Sequence, residues 1–202
     1  MTSIDVAQVA ISLVVLLLSL SVHELAHAWT ADRLGDPTAR QLGRVSLNPL
    51  VHADLVGTIL FPLLAAVSGL PVIGWAKPVR VNVSRLRRGR RDYVLVAAAG
   101  PVSNLALAAI AAVALRMVSL SVFGLMAARV IQLNVLLAIF NLLPIPPLDG
   151  GNVVGGLLPV SLAAGFDTVR PYGFLMIYAL MFTGLLGDIV APPYSFLMSW
   201  LL

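Results

Sequence analysis

The five residues His23-Glu24-Leu25-Ala26-His27 lie inside an apolar stretch that runs from Ile4 to beyond Trp29, and no other feature limits this chain so strongly. An α-helix turns once in about 3.6 residues, so side chains four apart sit within about 40° of one another around its axis. His23 and His27 therefore leave one face together and can share a metal ion, with Glu24 beside them to accept a proton. An ionisable residue at the centre of a membrane helix costs roughly 2.5–3.5 kcal/mol on insertion scales. Three in one apolar helix need a compensating partner, and a bound zinc ion is one.

The surroundings of the pentad decide what kind of chain carries it. The 202 residues are 59% hydrophobic and 11% charged, with a mean hydropathy of +0.97. Such a chain cannot supply the charged shell of a soluble domain, so it reads as an all-α polytopic membrane protein. Its length suits one membrane-embedded domain over residues 1–202, with about four to six spanning or re-entrant helices at ~20 residues each and a small β or loop element at the cytoplasmic face. There are no cysteines, which excludes disulfides and thiolate metal sites. A metal must take nitrogen and oxygen ligands; the histidines are His23, His27 and His52, and Glu24 is the sole glutamate.

The net charge of +4 resides mostly in residues 77–91. Beside apolar spans, Arg85, Arg87, Arg88, Arg90 and Arg91 read as topology determinants and contacts to anionic lipid, not as a nucleic-acid surface. The first apolar run is not a cleavable signal: no Lys or Arg precedes it, and cleavage near its end would sever the pentad.

Residues 4 to about 34 read as a long helix closed by Gly35-Asp36-Pro37. Asp5 precedes its apolar core while Arg33, Arg40 and Arg44 follow, so the positive-inside rule places residues 35–53 in the cytoplasm and the pentad toward that end. Residues 55–70 are apolar but short and interrupted by Gly57 and Pro62, with basic loops on both sides; a re-entrant segment fits best. Residues 79–83 alternate apolar and polar in a short strand signature, equally readable as an irregular loop. Further spans are expected at 93–117, rich in small residues that favour close packing, from a turn at Ser119 and Ser121 to about 143, and at 172–186. Residues 189–202 are apolar and of open course. This topology puts Asp149 on the same side, and at similar depth, as the two histidines.

A catalytic zinc has three protein ligands and an open position. The third ligand is His52, Asp149 or another oxygen donor. Asp149 is favoured because Pro144, Pro146 and Pro147 break the helix there and Gly150-Gly151 allow a bend close to a metal; a simple Asp-Gly turn is the plain alternative.

HELAH in an apolar helix, Gly100-Pro101 with Asn104 in a later one, and Phe140-Asn141-Leu142-Leu143-Pro144-Ile145-Pro146-Pro147-Leu148-Asp149-Gly150-Gly151 together resemble the site-2 protease family of intramembrane zinc metalloproteases. The resemblance covers a catalytic core of about 3–158, leaving C-terminal helices at about 168–202. It implies His23, His27 and Asp149 as ligands of one Zn2+ per chain, Glu24 as general base, and Asn141 as a group that holds substrate or the tetrahedral intermediate. It further implies transmembrane protein substrates, the lipid bilayer as surroundings, and a prokaryotic cytoplasmic membrane with the active site on the cytoplasmic side. The form is compact, without the PDZ or CBS modules of other members. A helical substrate must be unwound, and an edge at residues 79–83 could accept it by β-addition. Asn104 is expected to bond across helices. His52 and Asp54 could form a gate, a second metal site or ordinary interfacial hydrogen bonds, the last being preferred. The competing class is non-enzymatic, a metal transporter or a pseudoprotease; the clustering of ionisable groups at one depth and the intact Glu24 weigh against both.

Overall fold

The computed structural model describes residues 6–60, 64, 77–117 and 122–202. Among these, every regular element is helical: α1 (Val6–Arg33), α2 (Arg90–Met117), α3 (Val122–Asn141), α4 (Asp149–Leu157), α5 (Val160–Asp167), α6 (Gly173–Phe182) and α7 (Leu185–Leu201), joined by shorter helical turns. By length and composition, three described helices can cross a membrane, or four if a bent C-terminal pair counts as one span. The protein is an all-α polytopic membrane protein.

Local chemistry sets the ends that matter. α1 stops at Gly35, whose φ of 113° admits no ordinary side chain, and the Asp36 N–H closes back on Ala31 O at 2.9 Å, a Schellman-type ending. α2 starts at Arg90, earlier than residue 93, because the buried Asp92 accepts the Arg88 N–H at 2.9 Å and Arg88 Nε at 2.8 Å. Arg90 itself donates to Gly155 O. It braces α2 against α4 instead of lying free among lipid headgroups.

α2 packs against α1, α3 and α4. Its Ala108, Ala111 and Ala112 meet Ile131, Val135 and Ile139 of α3, and Val190, Tyr194 and Leu197 of α7 cover that cluster. Small residues on one helix allow the backbones to approach, the main route to tight packing where lipid removes the hydrophobic drive.

Of the strand and the irregular loop offered for residues 79–83, the loop forms: residues 77–82 have no regular structure and Val83–Arg85 is a 3-10 turn. Its N–H groups are drawn elsewhere, Val79 to Glu24 and Asn82 to Asp36, and no strand is present among the described residues to pair with it. The span at 172–186 breaks after Phe182, where Gly184 adopts a φ of 81°, and α7 departs at 82° to the helices before it. The C-terminal apolar segment is thereby defined as a helix that returns onto α3. Of residues 55–70, only the π-helical turn Leu55–Leu60 and Leu64 are described; the rest of that run, and the turn at Ser119 and Ser121, lie outside the described residues.

Candidate metal centre

α1 carries His23 and His27 on the face that meets α2 at Gly100. A Cβ at Gly100 would lie 2.3 Å from His27 Nε2 and 2.6 Å from His23 Nε2, so only glycine lets the helix backbone pass. Each imidazole is fixed through its other nitrogen. His27 Nδ1 lies 2.7 Å from Val96 O, which can only accept; His23 Nδ1 lies 2.6 Å from Asn104 Oδ1. These contacts favour the Nδ1–H tautomer in both rings, which turns an Nε2 lone pair inward.

Asp149 arrives from the other side. α3 ends at Asn141, the proline-rich segment prevents its continuation, and Asp149 is the first residue of α4. Leu143 and Ile145 anchor the intervening chain by burial against Ile177 of α6. Gly150 and Gly151 work differently from the bend expected of them, since neither has positive φ. They permit close approach instead: a Cβ at Gly150 would sit 2.2 Å from Leu142 O, and one at Gly151 2.5 Å from Pro146 N.

The result is a triangle of acceptors. The two Nε2 atoms are 3.0 Å apart, and Asp149 Oδ2 is 3.1 Å from His23 Nε2 and 3.2 Å from His27 Nε2. That carboxylate oxygen is buried with no hydrogen-bond donor. One proton would satisfy one edge of the triangle; a cation satisfies all three corners. Ligand bonds of about 2.0–2.1 Å in tetrahedral geometry hold zinc donors about 3.3–3.4 Å apart, so two nitrogens and one oxygen at these separations fit the ion in number, type and spacing. Among the described residues, this is the one such group.

Glu24 is buried beside the triangle and its Oε2 accepts the Val79 N–H at 3.1 Å. Asn141 donates through Nδ2 to Leu137 O, one turn back, at 3.0 Å. Both line a cavity of about 440 Å³ that also contains His23, His27 and Asp149, with apolar walls from Val79, Val81, Phe140 and Phe174. A mostly apolar hollow with a few converging polar groups is the usual form of a substrate site.

The remaining candidates divide. Asn104 is wholly buried and does bond across helices, to His23 on α1 and Asn134 on α3. His52 is only 1% exposed and makes ordinary hydrogen bonds: Nε2 lies 2.8 Å from Ser46 O and its main-chain oxygen accepts the Lys77 N–H. It pins the segment that crosses Glu24. Asp54 accepts the Val56 and Gly57 N–H groups and so caps the π-helical turn. Neither joins the triangle.

Asn134, Ser19 and the Val96 carbonyl escaped the sequence reading. An amide amid the apolar residues of α3 was a usable signal, because an unpaired one would be costly there. A main-chain carbonyl leaves no mark in a sequence.

No family model and no solved structure matches the chain. Over 190 residues it is 40% identical to the provisionally named zinc metalloprotease YwhC of Bacillus subtilis, a match covering 89% of this chain and 83% of that protein. The chain belongs to this zinc metalloprotease family. A second relative, Rip2 of Mycolicibacterium smegmatis, carries the same provisional description and is 31% identical over 171 residues, 83% of this chain and 64% of its own length. Rip2 of Mycobacterium tuberculosis is 36% identical over 140 residues, 66% and 52% of the two chains. For a member of a zinc metalloprotease family, the cysteine-free donor set and the adjoining cavity supply what that chemistry requires.

Proposed function

We propose that this chain is an intramembrane zinc endopeptidase of the site-2 protease type, hydrolysing peptide bonds in or near the transmembrane segments of other membrane proteins. The carrying observation is the meeting of three donor atoms at 3.0–3.2 Å, two from α1, which is long and apolar enough to span a membrane, and one from the first residue of α4. His23, His27 and Asp149 would hold one zinc ion per chain. When bound, zinc lowers the pKa of a coordinated water toward ~7 and polarises the scissile carbonyl.

The chain's own residues supply the rest. Glu24 accepts the proton of the attacking water and returns it to the leaving amine; the Val79 N–H steadies one carboxylate oxygen at 3.1 Å. Asn141, on the cavity wall, turns its amide from the neutral Leu137 O to the developing oxyanion, where the bond is charge-assisted and stronger. Val79 and Val81 line the cavity from a segment with no strand partner among the described residues, and a locally unwound substrate would lie along that edge. The same segment continues into the basic residues 85–91, so the positive-inside rule opens the site to the cytoplasm, from which its water comes. The relatives are bacterial proteins, which supports a prokaryotic cytoplasmic membrane as the setting of this reading.

The test compares membrane proteomes of cells carrying the wild-type chain or Glu24→Gln. Transmembrane stubs should accumulate with the variant. Undiminished cleavage by a zinc-loaded Glu24→Gln chain would overturn the general-base role.

A further inference from the structure

Between the three long helices runs a line of buried amides to which the reaction assigns no task. Asn134 of α3 is fully buried. Its Oδ1 accepts Asn104 Nδ2 at 2.7 Å, while its own Nδ2 donates to Val130 O at 2.8 Å and to Ser19 Oγ at 2.8 Å. Asn104 Nδ2 also points at Ser19 O, at 3.4 Å, and Asn104 Oδ1 stands 2.6 Å from His23 Nδ1.

A side-chain amide can be turned through 180° with little change of shape, so the direction of such a line needs a cause. Two main-chain carbonyls provide it. Val130 O and Ser19 O can only accept. Turning Asn134 would aim its oxygen at Val130 O; turning Asn104 would set its oxygen against Ser19 O and Asn134 Oδ1. Each reversal places acceptor against acceptor without water, the arrangement buried networks avoid.

We propose that Asn134 is a positioning residue for the metal centre. By deciding which way the Asn104 amide faces, it holds His23 in the Nδ1–H tautomer and keeps the Nε2 lone pair directed at the ion. His27 needs no such relay, because Val96 O fixes it directly. Without Asn134, only the long 3.4 Å contact to Ser19 O opposes reversal, and the Asn104 amide can turn and donate to His23 Nδ1. The ring then carries its proton on Nε2, facing His27 and Asp149, and must shift it before a metal can bind. The inference rests on the zinc reading above.

The experiment measures zinc affinity of the full-length chain in detergent by competition with a chelator. Asn134→Leu, similar in volume but without polar atoms, should weaken binding about 10–100-fold, the usual effect of losing a group that orients a histidine ligand. A second readout is 15N NMR of the histidine-labelled, metal-free chain: His23 should be protonated on Nδ1 in the wild type and on Nε2 in Asn134→Leu. A packing role for Asn134 would not move that proton. The relay is overturned if folded Asn134→Leu binds zinc as the wild type does, if its His23 stays protonated on Nδ1, or if wild-type His23 is protonated on Nε2. If the wild-type chain itself takes up no zinc, the metal reading falls and the relay with it.

Discussion

The two halves of the candidate metal centre are presented by opposite means. His23 and His27 stand well inside an unbroken 28-residue helix, where a four-residue spacing alone puts them side by side. Asp149 stands at the first residue of a nine-residue helix, behind a stretch of chain held by contacts with distant parts of the molecule. Leu143 and Ile145 are anchored under Ile177, and Gly173 of α6 backs directly onto Pro146. The helix-borne half is a local arrangement that needs its partners only to orient two rings. The segment-borne half is tertiary throughout, so changes well away from Asp149 reach it.

Glu24→Gln strikes the first half and should have the largest effect on rate. The helix is unchanged and zinc occupancy should equal that of the wild type, while cleavage falls about 10²–10⁴-fold, the range for a lost general base. Zinc analysis and a cleavage assay on the same preparation separate the two effects. Asn141→Leu strikes the edge of the second half. It should lower cleavage about 10²–10³-fold if the amide supports the oxyanion, again with zinc retained; loss confined to KM would move Asn141 to substrate binding.

Two glycine substitutions contrast the halves more finely. Gly100→Ala drives a methyl group into both imidazoles and should weaken zinc binding about 10–100-fold, while thermal stability changes little if the rings can swing aside. Gly150→Ala meets the main chain of Leu142 and Leu143, which cannot swing aside. It should cost about 1–3 kcal/mol of stability, seen as a lowered Tm, and displace Asp149 with it. Equal responses from both sites would break the distinction. The smallest effect is expected from Val81→Pro, which removes one main-chain donor from the proposed substrate edge. Cleavage of a transmembrane substrate should drop severalfold with metal and fold intact, and an unchanged rate would remove the edge from the account.

What could be read in advance follows the same division. The pentad, α1 and its end at Gly35 were legible because spacing, capping and hydropathy are local properties. α2 and α3 were legible to within a few residues; Asp92 drew the start of α2 forward through a contact that periodicity does not show. That Asp149 lies on the same side as His23 and His27 was expected from charge bias, while the proline–glycine segment only favoured it as a candidate ligand and the resemblance to a family carried the choice further. Strand and loop at 79–83 could not be told apart by pattern, and the loop prevails because the carboxylates of Glu24 and Asp36 claim N–H groups that a ladder would need. The bend at Gly184 and the Asn134–Asn104 line were hidden for a related reason. Each depends on which helices lie side by side, and no stretch of sequence reports that alone.

The central claim is that one ion is held jointly by α1 and α4, and the most direct test is the zinc content per chain of purified Asp149→Ala beside the wild type and His23→Ala. The account predicts one equivalent in the wild type, none in His23→Ala, and a loss in Asp149→Ala severe enough that a modest chelator strips the residual metal. An Asp149→Ala chain that keeps its full equivalent as tightly as the wild type would contradict it.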